Sequence, residues 1–302
     1  MKTSFLAHGK VILIGEHSVV YGYNALAMPI MSLHIKTTVE PATQMWMDTA
    51  HYQGSFFMAP SEYDGLKYVV KTMLEKANST ETLKITYTGE IPIERGLGSS
   101  ATVALATTRA MNDYFKLNLS ENEIIAITNH AEMINHGKAS GLDAATVNSN
   151  YLVFFNQKAG PTALKAKLNS TLLIMDTGEL GSTKKAVSLV HEQVATDPKA
   201  AAKIAKLGKL ADEAKSAWLK KDQAQIGTIF NQAQAILHSF SLSTSKIDQL
   251  QKIALANGAL GFKLSGSGLG GIVIALCHNS KNAQKIAAKC QNIIANSWIE
   301  EI

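Results

Sequence analysis

The chain has 302 residues, 46% of them hydrophobic and 18% charged, with a formal net charge of +5. That length accommodates two domains with separate cores. The lysines are spread through stretches such as "KAAAKIAKLGKLADEAKSAWLKK", giving solvated helix faces rather than the concentrated basic patch a nucleic-acid partner requires, while an anionic small molecule remains compatible with the charge.

No apolar run reaches membrane-spanning length, and the opening "MKTSFLAHGKVILIGEH" has too short an apolar stretch for a signal peptide. A cytoplasmic protein without a membrane partner is expected. Cys277 and Cys290 are too few for a disulfide scaffold or a zinc site and read as free buried thiols. The first ninety residues alternate, with strands at "KVILIG", "ALAMPI", "HIKTTVE" and "TLKITYTGEI" and helical periodicity in "YDGLKYVVKTMLEKAN". A β-rich opening followed by helices points to an α+β fold.

Next come Gly96, Gly98, Ser99 and Ser100, immediately before a helix expected over 100–115. A glycine turn at a helix start leaves backbone N–H groups without partners and aims the positive end of the dipole outward, which makes an anion site. Read alone, a helix capped by Ser99 or Ser100 accounts for the same residues. Ser120 with Glu123 is a capping box, and the helix it opens runs through "IIAITNHAEMINHG" to a stop at Gly137. After "YLVFF" and a polar stretch, "TLLIMDTG" starts a new strand, and a domain boundary placed there gives 1–168 and 169–302. Asp197 and Pro198 open a region that is helical to about residue 240. The end returns to strands around "GFKLSGSGLGGIVIAL", with a closing helix from about Asn282.

Two phosphate motifs fail. G-x-x-x-x-G-K-[ST] is absent, and although Gly266, Gly268 and Gly271 match G-x-G-x-x-G, they lead into the strand "IVIALC", with Gln291 rather than an acid twenty positions on. That cluster reads as a hairpin turn or as a close backbone approach to a ligand. His130 and His136, six apart on a helix, face different ways and do not form H-E-x-x-H, so they read as ordinary, partly exposed histidines. Glu132 lies off the main stripe of Ile124, Ile127, Ala131 and Ile134, which suits a solvated carboxylate. It also shares a line with Ile125, which suits a buried one in need of a cation. Asp143, in the loop "HGKASGLDAATVNSN", reads as a turn residue, and Lys10, at the entrance to the first strand, as an exposed lysine.

Three motifs in order, "HGKVILIGEHSVVYG" (8–22), "PIERGLGSSATVA" (92–104) and "KLSGSGLGGIV" (263–273), resemble those of the GHMP small-molecule kinases. A fourth segment, "EMINHGKASGLD" (132–143), resembles the stretch that carries a metal-binding Glu and a catalytic Asp in the members that phosphorylate mevalonate. Galactokinases continue the first motif with T-D-Y, whereas Ser18, Val19 and Val20 stand here. The resemblance implies a two-domain α+β fold: an N-terminal domain like that of ribosomal protein S5, a ferredoxin-like C-terminal domain, and an active site between them.

By the same resemblance, Gly96, Leu97, Gly98, Ser99, Ser100 and Ala101 would cradle the ATP phosphates at the helix start. Ser100 and Glu132 would hold Mg²⁺, and Asp143 would take the proton from the primary hydroxyl of mevalonate. Lys10 would keep Asp143 ionised and balance charge on the transferred group. Glu16 and His17 would line the substrate pocket, the third motif would close the site, and Thr183 in "GSTKKAV" is a further candidate to face it. Ser267 and Leu269 depart from the family's usual Ala and Gly, and Leu269 would narrow the approach to the nucleotide. A homodimer is compatible with this reading. Phosphomevalonate or homoserine as acceptor, and a non-catalytic ligand sensor, are the alternatives; the intact set of Lys10, Ser100, Glu132 and Asp143 speaks against the sensor.

Overall fold

The computed structural model describes residues 2–91, 95–137 and 139–302; residues 92–94, which open the second motif, and Lys138 of the fourth segment lie outside the described residues. The chain forms two compact units, one of Met1–Lys10, Pro29–Ile93 and Gly98–Asn150, the other of Val11–Met28, Glu94–Leu97 and Tyr151–Ile302. These units are interleaved in sequence because two long strands, β1 (Thr3–Ile14) and β2 (Ala25–Pro41), each supply residues to both. The two strands expected at "ALAMPI" and "HIKTTVE" are thus one. Pro29, which has no amide hydrogen to donate, falls between residues 25–27, which pair with one neighbour, and 35–41, which pair with another.

In the first unit β3 (Trp46–Asp48), β4 (Gln53–Ser55) and β5 (Leu83–Gly89) join β2 in the order β4-β3-β5-β2. Helices α1 (Asp64–Lys76), α2 (Ser99–Phe115) and α3 (Glu121–His136) pack on one another, and α4 (Leu142–Val147) packs on α2 and α3. Their shared core joins Val69, Val70 and Met73 of α1, Met111 of α2 and Ile127 of α3 to Val39, Met47 and Ile85 of the strands. The capping box at Ser120 is formed, and Gly137 closes α3 in a positive-φ conformation. Arg109 of α2 donates to Glu121 Oε2 of α3 at 2.6 Å and to Asn148 Oδ1, just beyond α4, at 2.6 Å. One guanidinium therefore ties together the three helices that carry Ser100, Glu132 and Asp143.

In the second unit β6 (Leu152–Asn156) and β7 (Gly160–Leu164) form a hairpin beside the start of β2. The chain continues through β8 (Thr171–Asp176), α5 (Thr183–Thr196), α6 (Pro198–Leu219), α7 (Gln223–Ser239), α8 (Ser245–Ala256), β9 (Gly261–Ser265), β10 (Ile272–Cys277), α9 (Ser280–Cys290) and β11 (Asn296–Glu301). The four last strands make an antiparallel sheet in the order β11-β8-β10-β9. Fourth beside first, then third and second, with helices in two crossovers, is the ferredoxin-like arrangement. Asp197 caps α6, with Pro198 at its start. A final strand, β11, follows the expected closing helix; its partly exposed "NSWIEE" hides the alternation that marks buried strands. Cys277 and Cys290 are buried and free, and burial pushes the Cys277 thiol up to about 12, so it is inert.

Candidate active site

The glycine turn starts α2 with a glycine rather than with a serine cap. Gly98 is the N-cap of α2, in the left-handed region (φ 71°), and no side chain caps the helix. Neither Ser99 nor Ser100 serves as the cap, because both lie inside the first turn. Leu97 and Ala101 are buried, while Gly98, Ser99 and Ser100 remain partly exposed. A Cβ on Gly98 would lie 2.8 Å from Lys10 Cγ and 2.9 Å from Lys10 Cε. Glycine is therefore required twice here, for its backbone angle and for the slot that the lysine stem occupies.

Lys10 is buried, only 2% exposed, and its Nζ stands 3.1 Å from Asp143 Oδ1. That corrects the exposed lysine expected at a strand entrance: the stem is covered by a turn almost ninety residues away, which the local pattern does not display. Asp143 is not in a loop but in the first turn of α4, behind the N-cap Gly141. Its side chain keeps 34% of its surface exposed.

Glu132 is buried at 5% exposure. The buried face of α3 is Ile124, Ile127, Thr128, Ala131 and Glu132, while Ile134 is 40% exposed. Polar residues thus occupy part of the stripe, and counting apolar positions alone rotates the face. Burial pushes the Glu132 carboxyl up to about 7; the charge of Asp143 acts in the same direction, and Ser100 and Lys10 pull it part of the way down. Glu132 Oε1 is buried without a hydrogen-bond partner among the described residues, and Oε2 lies 3.9 Å from His136 Nε2. His130 is exposed and its ring lies 4.3 Å from that of Tyr68, in keeping with an ordinary surface role.

An orphaned, buried carboxylate oxygen beside a serine hydroxyl and a second carboxylate fits a hard divalent cation. Among the described residues no group of three or more His, Cys, Asp or Glu could hold a metal by itself. A cation here would share its coordination with phosphate oxygens and water, as Mg²⁺ does.

Glu16, His17, Ser267 and Thr183 lie in the second unit. Glu16 is buried in an ion pair with Lys263 of β9, which is fully buried and also donates from Nζ to the Leu264 carbonyl at 2.6 Å. His17 Nε2 donates to the Ser267 carbonyl at 2.9 Å. Burial holds the imidazole below its usual range; the bond to Ser267 opposes this, and the Lys263 charge adds to it. His17 is consequently neutral at pH 7 and presents Nδ1 as an acceptor. Ser267 Oγ lies 3.3 Å from Thr183 Oγ1, at the start of α5. Gly266, Gly268 and Gly271 occupy the turn of the β9–β10 hairpin with positive φ, and Leu269 adopts φ 62° there. A branched side chain in that region is strained.

Lys263 escaped the sequence reading. Its signal is a charged residue in the middle of a strand that is otherwise buried on both faces, "GFKLS", and such a charge requires a partner.

The chain matches the profile for the GHMP kinases N terminal domain over residues 65–149 and that for GHMP kinases C terminal over residues 213–295. Mevalonate kinase from methicillin-resistant Staphylococcus aureus MRSA252 is 32% identical, with 99% of this chain and 98% of that one covered and a TM-score of 0.76. The chain belongs to the GHMP kinase family. Mevalonate kinase of Pyrococcus horikoshii is 29% identical over 307 residues, covering 94% of this chain and 91% of the relative. The L. major mevalonate kinase, solved in complex with R-mevalonate, superposes with a TM-score of 0.84 at 23% identity, covering 98% of this chain and 94% of that one, and so shares the GHMP kinase fold. Like those relatives, this GHMP kinase has mixed α and β content in two units, and no helix among its described residues is long and apolar enough to cross a membrane.

Proposed function

We propose that this GHMP kinase transfers the γ-phosphoryl group of ATP to the primary hydroxyl of (R)-mevalonate, giving 5-phosphomevalonate in the cytoplasm. The observation that carries the reading is the pairing of buried Lys10 with part-exposed Asp143, at 3.1 Å, under a glycine-capped helix start with Glu132 alongside. Phosphoryl transfer requires positioning and charge neutralisation more than covalent help, and these groups supply both. The acceptor follows from the mevalonate kinases among the relatives.

In this reading residues 96–101 receive the ATP phosphates on backbone N–H groups at the positive end of α2. Ser100 and Glu132 would hold Mg²⁺, which when bound would neutralise charge on the β- and γ-phosphates. Asp143 accepts the proton of the acceptor hydroxyl. Lys10, fixed in its slot at Gly98, supplies a positive charge beside that carboxylate and the transferred group. His17 offers a neutral acceptor nitrogen to mevalonate, and Glu16 contributes through the turn that Lys263 anchors. In the same reading the family's N-terminal domain would span 1–168 and its C-terminal domain 169–302, with the two profile matches on either side of that division.

Asp143→Asn tests the reading. It keeps the side chain's shape and removes its capacity to take a proton, so turnover should fall by about 10²–10⁴-fold while ATP and mevalonate still bind. Near-normal turnover at saturating substrates would return Asp143 to a structural role.

A further inference from the structure

Asn135 lies on the same face of α3 as Glu132, one turn further on. Its Oδ1 accepts from the Gly65 N–H of α1 at 2.9 Å, and its Nδ2 donates to Ser100 Oγ at 2.8 Å. The two bonds fix each other's sense. Gly65 N–H can only donate, so the amide oxygen must face it and the amide nitrogen must face Ser100. Gly65 makes this possible: a Cβ there would lie 2.7 Å from Asn135 Nδ2 and 2.8 Å from Oδ1. Tyr63, the N-cap of α1, makes no side-chain cap, so Asn135 satisfies one of that helix's first N–H groups from a neighbouring helix.

The consequence falls on Ser100. A serine hydroxyl has one proton and two lone pairs. With one lone pair taken by Asn135, the proton is free to turn to Glu132, whose carboxyl Ser100 pulls down, and the second lone pair is left for a cation. An unconstrained hydroxyl would also be able to present its proton to the ion. We propose that Asn135 is a positioning residue that fixes the orientation of the Ser100 hydroxyl for divalent-cation binding. This rests on the assignment of Ser100 as a metal ligand made above.

Groups that orient metal ligands typically carry 10–100-fold in affinity. The test measures Mn²⁺ affinity, by paramagnetic resonance of free Mn²⁺, in complexes of the protein with a non-hydrolysable ATP analogue, together with the melting temperature without metal. Ser100→Ala, Asn135→Ala and the double variant form a cycle. Asn135→Ala should weaken Mn²⁺ by about tenfold, and in the Ser100→Ala background it should change affinity by less than about twofold, because its effect runs through that hydroxyl. Asn135→Ser, too short to bridge both partners, should behave as Asn135→Ala and serves if the latter fails to fold. A lowered melting temperature with unchanged Mn²⁺ affinity, or a loss that multiplies with that of Ser100→Ala, would leave Asn135 as a helix cap only and overturn the proposal. Unchanged affinity in Ser100→Ala would overturn the ligand assignment itself.

Discussion

Glu132 shows why individual site residues are harder to read than the motifs that contain them. Its helix has two plausible buried faces, and the one realised is completed by Thr128 and Glu132 rather than by Ile134. No apolar count finds a face that is partly polar. The buried carboxylate has a measurable cost. Its ordinary carboxyl value of 4.5 rises to about 7 in the folded protein, so the native state holds its proton where the unfolded state has released it. The associated stability is complete below about pH 4.5 and is lost as pH rises through about 7, on the order of 3 kcal/mol at most. Metal-free Glu132→Gln should therefore unfold at a higher temperature than wild type at pH 8, with the difference shrinking towards pH 4.5. The same variant should need more Mg²⁺ for half-maximal rate, since a neutral amide is a poorer ligand for a hard cation. A pH-independent difference in melting temperature, with an unaltered Mg²⁺ requirement, would remove Glu132 from the metal site.

At the scale of elements, the glycine turn was legible and its partner was not. The turn before α2 is visible in its two glycines and two serines, but that Gly98 also makes room for the stem of Lys10 depends on a pairing between distant segments. Gly98→Val accordingly strains φ, blocks the backbone's approach to phosphate and displaces Lys10 from Asp143. The variant should lose both nucleotide affinity and turnover; intact ATP affinity in a folded Gly98→Val protein would move the cradle elsewhere. The local pattern around Asp143 reads as a loop because α4 is only six residues long, too short for a periodicity to register. The merging of two expected strands into β2 has a similar origin, since Met31 and Ser32, both exposed, interrupt the alternation between the two runs.

For the whole molecule, the α+β class, the helical region after Pro198 and the glycine hairpin follow from local patterns. The interleaving of two units through β1 and β2, and the last strand β11, depend on long-range pairing that no local window contains. The Glu16–Lys263 pair belongs to this level because both charges are sealed inside the second unit. Lys263→Met leaves Glu16 buried without its cation and should cost about 3–5 kcal/mol in denaturant unfolding, and adding Glu16→Gln should recover part of that loss. Additive losses in the double variant would show that the pair is not coupled.

ADP release from the wild-type protein with ATP, Mg²⁺ and a panel of mevalonate, phosphomevalonate and homoserine, with the product of the active pair identified by ³¹P resonance, distinguishes the acceptors. Mevalonate alone should support rapid ADP formation and yield a phosphate monoester on its primary hydroxyl. Turnover with phosphomevalonate or homoserine in preference to mevalonate, or nucleotide binding with no acceptor turned over, would contradict it.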